Sequence, residues 1–383
     1  MDNFCPAPWM SLFYHVNEAS VCCIQRDTFE MSPDEFRNSD YIKNLKKQFL
    51  ANEKPTGCNG CWKREEQDLI SIRSHYKNNF PQYTREFFDE NTQLPVLQME
   101  LRASNLCNFQ CRMCHPKSSV EIAREIEGSE ELQKHFKLRS SKVIETSSKN
   151  WDQIFDISLN TTRLFLTGGE PLLIKQYYDL LDHLILNDRC NTTVLDIYTN
   201  CSVYNKKFVD RITKFKKVRL NLSIDAVTKV AEYQRFGTNW DTVCKNAFKF
   251  NAIPNIMPLI QTTITAYNIL DLSLLADFYL QMLEKNNKLK FMVHVAQGPK
   301  GMNYMNLPEP LKIRAIEQID LTLKKLTGET TFTIIRKEFE SIKAQMLTNL
   351  GNGPDFISFV HLTRAYDRSR NQKFEDVFNF KLY

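Results

Sequence analysis

The chain has 383 residues, of which 42% are hydrophobic and 25% are charged. The hydrophobic content supports a globular protein, and the length predicts two structural units. Lysine and arginine exceed aspartate and glutamate by 50 to 45. Because the net charge of +5 is small and scattered, it makes no case for a nucleic-acid partner.

The sequence lacks two features that would direct the protein to a membrane or out of the cell. No run of 18 or more apolar residues occurs, and the first residues, "MDNFCPAPW", lack a basic stretch followed by an apolar one. We therefore expect no membrane partner, no secretory signal and a cytoplasmic location. In that reducing compartment, eleven cysteines favour metal binding, catalysis or burial over disulfide bonds.

The N-terminal segment is rich in cysteine. It contains Cys5, Cys22, Cys23, Cys58 and Cys61. The polar stretch that follows, residues 74–93, has no clear apolar period and is predicted to be a linker or a wrapping segment.

From about residue 96, short β-rich runs alternate with longer amphipathic ones. Six runs are predicted as strands: 96–101, 163–167, 194–199, 218–224, 256–264 and 290–296. Repeated βα units predict an α/β fold with a parallel sheet and outer helices. Six units favour a partial (β/α)6 barrel over a closed eightfold one, but an open doubly wound sheet fits the periodicity equally well.

The chain after residue 305 is predicted to be mainly helical. Its tail contains Asp367 and Arg370, for which we predict either a mutual ion pair or a solvated helix. The resulting domain prediction is an N-terminal module over 1–90, a barrel over 91–302 and a helical extension over 303–383.

The motif with the clearest chemistry directly follows the first predicted strand. The sequence "CNFQCRMC" contains Cys107, Cys111 and Cys114, at the strand end where barrel loops collect functional groups. Thiolates select iron-sulfur clusters, zinc or copper, and three cysteines leave one iron of a 4Fe-4S cube without a protein ligand. A zinc site with His115 as the fourth ligand is the alternative.

This CxxxCxxC pattern after a first strand resembles that of the radical S-adenosylmethionine (SAM) enzymes. The resemblance implies a 4Fe-4S cluster on the three cysteines and SAM on the open iron. It also implies that reductive cleavage of SAM gives a 5'-deoxyadenosyl radical, which removes a hydrogen atom from a substrate. Met113 departs from the family, which usually has an aromatic residue there.

Other strand ends supply predicted SAM contacts. Gly168, Gly169 and Glu170 in "FLTGGEPLL" resemble the family motif that binds the SAM amino group, and a simple turn is the alternative. Arg235 resembles the family arginine that reaches the SAM carboxylate, with a surface arginine as the alternative. The remaining predicted contacts have hydroxyl, amide or carboxylate groups that bind small molecules or cap helices: Thr199, Asn200, Ser223 and Asp225.

The N-terminal cysteines resemble a twitch-type auxiliary-cluster module, related to SPASM, placed before the barrel. Four thiolates could close a site for a second 4Fe-4S cluster or for zinc. The resemblance favours Cys22 over Cys23 as the ligand from the adjacent pair, and the choice stays open.

The resemblance predicts an enzyme that acts on a peptide or an amino-acid-derived compound and is reduced by a flavodoxin or a ferredoxin. A nucleotide or sugar derivative is the second substrate class. The competing interpretation is a non-catalytic iron-sulfur or zinc protein that binds a partner.

Overall fold

The computed structural model describes residues 2–66, 70–327 and 332–382. Its centre is a nine-stranded sheet in the order β11-β10-β8-β7-β6-β4-β1-β2-β3, and β5 pairs with β9 in a separate ribbon. The strands are β1 Ser11–His15, β2 Glu18–Ser20, β3 Phe29–Glu30, β4 Gln98–Arg102, β5 Gln110–Cys111, β6 Arg163–Leu166, β7 Val194–Thr199, β8 Lys217–Ser223, β9 Arg235–Phe236, β10 Ile256–Ile264 and β11 Lys290–Val295.

Six of these strands correspond to the six predicted ones. Strands β4, β6, β7, β8, β10 and β11 pair in parallel, each with the next along the chain. A doubly wound sheet would reverse its strand order at a switch point, and no reversal occurs among these six strands. Because β11 and β3 are the two edges of the sheet, the architecture is a partial barrel of the TIM type.

Helices cover one face of the barrel sheet. Fully buried residues such as Leu101, Leu166 and Ile197 alternate along the strands and face these helices. The helices are α6 Val120–Glu127, α7 Glu130–Gln133, α8 Ser148–Ser158, α9 Lys175–Leu186, α10 Lys206–Ile212, α11 Thr228–Gln234, α12 Trp240–Asn251 and α13 Leu272–Lys285.

The N-terminal segment adds a strand to the barrel sheet. Strand β1 pairs in parallel with β4, so that Phe13 lies beside Glu100. Before β4 the chain also forms α1 Ala7–Met10, α2 Pro33–Arg37, α3 Asp40–Leu50, α4 Asn59–Glu65 and α5 Ile72–Asn79. Within the predicted linker or wrapping segment, residues 74–79 are helical, and buried Tyr76 anchors this short helix to the core.

The predicted helical character of the C-terminal region is confirmed. It consists of α14 Glu309–Lys325, α15 Thr333–Thr348, α16 Phe356–Arg370 and α17 Phe374–Phe378. Both predictions for Asp367 and Arg370 were wrong: the two side chains are buried, and Arg112 and Glu125 are their respective partners. The three-domain division remains a prediction. None of the helices in the described ranges has the length and apolarity that a membrane span requires.

Candidate active site

The three cysteines lie on the loop between β4 and α6, at the carboxyl end of the parallel strands. Part of this loop is β5, which pairs with β9 and places Cys111 opposite Arg235. The amide of Cys114 donates to the carbonyl of Cys111 at 2.9 Å, which turns the chain back toward Cys107. The structure therefore brings the three predicted ligands together on one loop.

The electrostatic environment of the thiols depends on burial and on Arg235. Burial raises the pKa of Cys107, Cys111 and Cys114, and the neighbouring thiols raise that of Cys107 further. The Arg235 guanidinium acts in the opposite direction on Cys111 and Cys114, and its Nη1 lies 3.9 Å from the Cys111 sulfur. Arg235 therefore favours the thiolate form, which is the form that binds metal.

The glycine pair packs directly against the cysteine loop. The amide of Gly169 donates to the Ser104 carbonyl at 3.0 Å, and that of Glu170 donates to the Leu106 carbonyl at 2.8 Å. A β-carbon at Gly169 would collide with the Leu106 carbonyl, and Gly168 has a φ of +113°. Both glycines are needed for this close backbone approach.

The Glu170 carboxylate joins the ends of two strands. It is 1% exposed and accepts hydrogen bonds from Thr199 Oγ1 at 2.9 Å and from the Asn200 amide at 2.7 Å. Burial raises the pKa of Glu170 to about 7, and the hydrogen bonds from Asn200, Leu172 and Thr199 act in the opposite direction. The Glu170 carboxylate thus holds the end of β7 against the loop that follows β6.

Asn200 connects the end of β7 to the cysteine loop. Its Nδ2 donates to Asn108 Oδ1 at 3.1 Å and lies 3.9 Å from the Cys107 sulfur. Sequence reasoning did not identify Asn108, which has no local signal apart from its position directly after Cys107.

Asp225 holds Arg235 at the opposite side of the loop. Its Oδ2 accepts from Arg235 Nε at 2.6 Å and from Gln234 Nε2 at 3.1 Å, while its Oδ1 accepts from the Thr263 amide at 2.8 Å. Ser223 lines the same narrow cavity as Asp225 and Arg235, so the structure gathers these predicted contacts in one place.

A charged network on the concave face of the sheet was not predicted. Asp196 is 3% exposed and pairs with Arg163 at 3.0 Å and with Arg219 at 2.7 Å. On β4, which is two strands away from β7, Glu100 pairs with Arg102 at 3.0 Å. Buried ion pairs require specific partners. The two partners of Asp196 lie on different strands, β6 and β8, which sequence spacing does not relate.

The N-terminal cysteines separate into a group of four and a single thiol. Cys5, Cys22, Cys58 and Cys61 line one apolar cavity of about 20 Å³. Cys23 instead lies against Glu100, and burial and this carboxylate raise the pKa of its thiol. Glu100 belongs to β4, and Cys23 does not line the four-cysteine cavity.

The donor sets fit iron-sulfur chemistry by the type of their ligands. Each set consists of thiols alone, and thiols are the ligands that iron-sulfur clusters take. Across residues 2–66, 70–327 and 332–382, no group of three or more His, Cys, Asp or Glu side chains is arranged to hold a metal ion. The assignment therefore depends on ligand type and on the loop arrangement.

Comparison with known proteins identifies the family of the central region. Residues 101–253 match the model of the radical SAM superfamily. Two curated relatives, each named GTP 3',8-cyclase and from two strains of Staphylococcus epidermidis, are 28% identical over 145 residues. That match covers 37% of this chain and 38% of each relative, so the chain spans less than two fifths of their length.

Solved structures with lower similarity include two SAM-bound proteins. SuiB of Streptococcus suis bound to S-adenosylmethionine is 17% identical, with a TM-score of 0.42 over 79% of this chain and 65% of that one. Native anSMEcpe with bound AdoMet is 13% identical, with a TM-score of 0.41 over 66% of this chain and 62% of that one.

The family match covers the cysteine loop, the glycine pair and Arg235, which are the elements gathered at the carboxyl ends of the strands. Radical SAM proteins use a 4Fe-4S cluster and SAM. Residues 101–253 of this chain therefore form a radical SAM domain.

Proposed function

We propose that this chain cleaves SAM reductively at a 4Fe-4S cluster held by Cys107, Cys111 and Cys114, and that it abstracts a hydrogen atom from a substrate in the barrel. The observation that carries this proposal is the three-thiol loop at the carboxyl end of β4, packed against the glycine pair. A reduced cluster held by these three cysteines would supply the single electron that reductive cleavage of the SAM sulfonium requires.

The protein groups around the loop position SAM. Arg235 is oriented through Nε by Asp225, which leaves the outer edge of its guanidinium for the SAM carboxylate. Backbone carbonyls near Gly168 and Gly169 are suited to the amino group, because both glycines let the chain approach closely. Glu170 orients Thr199 and Asn200, and Ser223 offers a hydroxyl toward the same cavity.

The substrate we favour is a peptide or an amino-acid-derived compound. The concave face carries both carboxylates and guanidinium groups, at Glu100, Asp196, Arg102, Arg163 and Arg219. A substrate with amino and carboxylate groups could exchange partners with these ion pairs. Their mutual pairing keeps each charge satisfied until a substrate enters.

A nucleotide derivative is the second candidate. Three guanidinium groups face two carboxylates in this network, and such an excess suits a phosphate. The curated relatives named GTP 3',8-cyclase give this candidate independent support.

We further propose a second cluster at Cys5, Cys22, Cys58 and Cys61, with zinc as the alternative occupant. Four thiols line one cavity, which is the number of ligands that a closed site requires, and Cys23 does not line it. The proposed electron donor is a flavodoxin or a ferredoxin. A non-catalytic iron-sulfur or zinc protein is the competing interpretation.

Anaerobic reconstitution tests the proposal directly. We expect about eight irons per chain, from two 4Fe-4S clusters. Dithionite and SAM should then give 5'-deoxyadenosine. Cys111→Ala should abolish this product, and Cys190→Ala, at a cysteine distant in sequence from both groups, should retain it. Iron binding without 5'-deoxyadenosine would favour the non-catalytic interpretation.

A further inference from the structure

The cysteine loop contains a completely buried arginine. Arg112, between Cys111 and Cys114, is 0% exposed. Its Nε donates to the Tyr233 carbonyl at 2.9 Å, and its guanidinium lies 3.7 Å from the centroid of the Tyr233 ring. An isolated buried cation is strongly destabilising, so Arg112 needs an anionic partner.

That partner is Asp367 on α16, which lies 255 residues away in sequence. Arg112 Nη2 donates to Asp367 Oδ1 at 2.7 Å, and the Tyr233 hydroxyl donates to the same oxygen at 2.7 Å. The amide of Phe374 donates to Oδ2 at 2.9 Å. Asp367 is 4% exposed and is therefore a fixed, fully bonded counter-ion.

A second contact fastens the same helix to the element after the loop. Arg370 donates two hydrogen bonds to Glu125 on α6, at 2.8 and 2.7 Å. Its guanidinium also lies 4.9 Å from the ring centroid of Phe236, which is in the strand paired with β5. Thus α16 holds the cysteine loop and the helix that follows it.

We propose that Asp367 is a positioning residue for the radical SAM cluster, acting through Arg112. Its carboxylate balances the buried cation between the second and third ligands and fixes the backbone of that segment. The proposal rests on the proposed function, because it assumes a cluster at these cysteines. Removal of the carboxylate charge would leave Arg112 uncompensated, and a nearby positive charge favours the reduced, more negative cluster.

The test compares Asp367→Asn with Asp367→Glu and with Arg368→Gln. Arg368 is the matched control, because it lies on the same helix but forms an exposed pair with Glu131. In reconstituted protein, Asp367→Asn should shift the midpoint potential of the three-cysteine cluster to a higher value, measured by EPR-monitored titration. Asp367→Glu, which keeps the charge, should restore most of the wild-type potential, and Arg368→Gln should match wild type.

Hydrogen exchange in iron-free protein provides an independent measurement. The Arg112 amide donates to the Gln234 carbonyl at 2.8 Å, and this bond reports on the loop. Asp367→Asn should speed exchange at this amide about tenfold. If that variant does not fold, Tyr233→Phe removes only the hydroxyl bonded to Asp367 and should speed the same exchange to a smaller extent.

The two proposals fail in different ways. A wild-type protein that forms no SAM-perturbed cluster contradicts the proposed function. A wild-type cluster that responds to SAM, together with an unchanged potential and unchanged exchange in Asp367→Asn, overturns the positioning role of Asp367. Unchanged exchange in Tyr233→Phe overturns it when the aspartate variant is not folded.

Discussion

Partly exposed Arg235 and buried Asp225 form an ion pair directly beside a cysteine of the proposed cluster. Arg235 Nε donates to Asp225 Oδ2 at 2.6 Å, and Arg235 Nη1 lies 3.9 Å from the Cys111 sulfur. One guanidinium thus contacts both a carboxylate that fixes it and a thiol whose deprotonation it favours. Under the proposed function, this arrangement would link SAM binding to cluster binding through one side chain.

Replacement of Arg235 by lysine should weaken SAM binding. Lysine keeps the positive charge but lacks the planar fork that can bond Asp225 and a second carboxylate together. We expect the Kd for SAM to rise about tenfold, which corresponds to about 1.4 kcal/mol. Equilibrium dialysis with reconstituted protein measures it. Arg211→Lys, at a surface arginine paired with Asp182, is the control, and equal affinities in the two variants would contradict the role of Arg235.

Replacement of Gly169 by alanine should disrupt the cysteine loop. The added methyl group would collide with the Leu106 carbonyl, which must move together with the loop. We expect a loss of roughly 2 kcal/mol in unfolding free energy, typical of overpacking, and reduced iron at the three-cysteine site. Gly351→Ala is the control, because nothing lies within 4 Å of its added β-carbon. A Gly169→Ala protein with wild-type iron content and stability would refute the proposed backbone constraint.

The two adjacent cysteines should differ in their effect on iron content. Cys22 lines the four-cysteine cavity, and Cys23 lies against Glu100. Cys22→Ser should therefore lose about four of the eight irons, and Cys23→Ser should keep them all. Iron analysis after anaerobic reconstitution distinguishes the two variants. If only Cys23→Ser loses iron, Cys23 and not Cys22 is the ligand.

Local sequence patterns predicted the barrel strands and the cysteine loop. Each barrel strand is a short continuous run, and Cys107, Cys111 and Cys114 lie within one loop, so neighbouring residues carry the whole signal. The partners of Arg112 and Asp196 could not be predicted in this way. Those contacts join residues on different strands or residues that are far apart in sequence, and only the folded chain brings them together.

The N-terminal segment shows the same limit of prediction from local sequence patterns. Its cysteine spacing indicated a metal site, but the pairing of β1 with β4 depends on the register between Phe13 and Glu100. No pattern within β1 specifies its partner strand, because an apolar strand fits several sheets. The separation of Cys22 from Cys23 likewise depends on which face of the chain meets Glu100.

His15, at the end of β1, should make stability depend on pH. Burial and the positive charges of Arg102 and Lys117 lower its pKa to about 4, while Glu18 acts in the opposite direction. In the unfolded chain His15 takes up a proton near pH 6.5, whereas in the folded chain it does so only near pH 4. The contribution of neutral His15 to the unfolding free energy is therefore complete above about pH 6.5 and is lost as the pH falls toward 4.

In the iron-free wild-type protein, we expect the unfolding free energy to fall by on the order of 2 kcal/mol between neutral pH and about pH 4 because of His15. His15→Gln should remove this decrease. Urea unfolding of both proteins at several pH values in this window measures the difference. His361→Gln, at an exposed histidine on α16, is the control and should leave the wild-type slope in place. Parallel stability curves for wild type and His15→Gln would mean that His15 takes up its proton equally in both states.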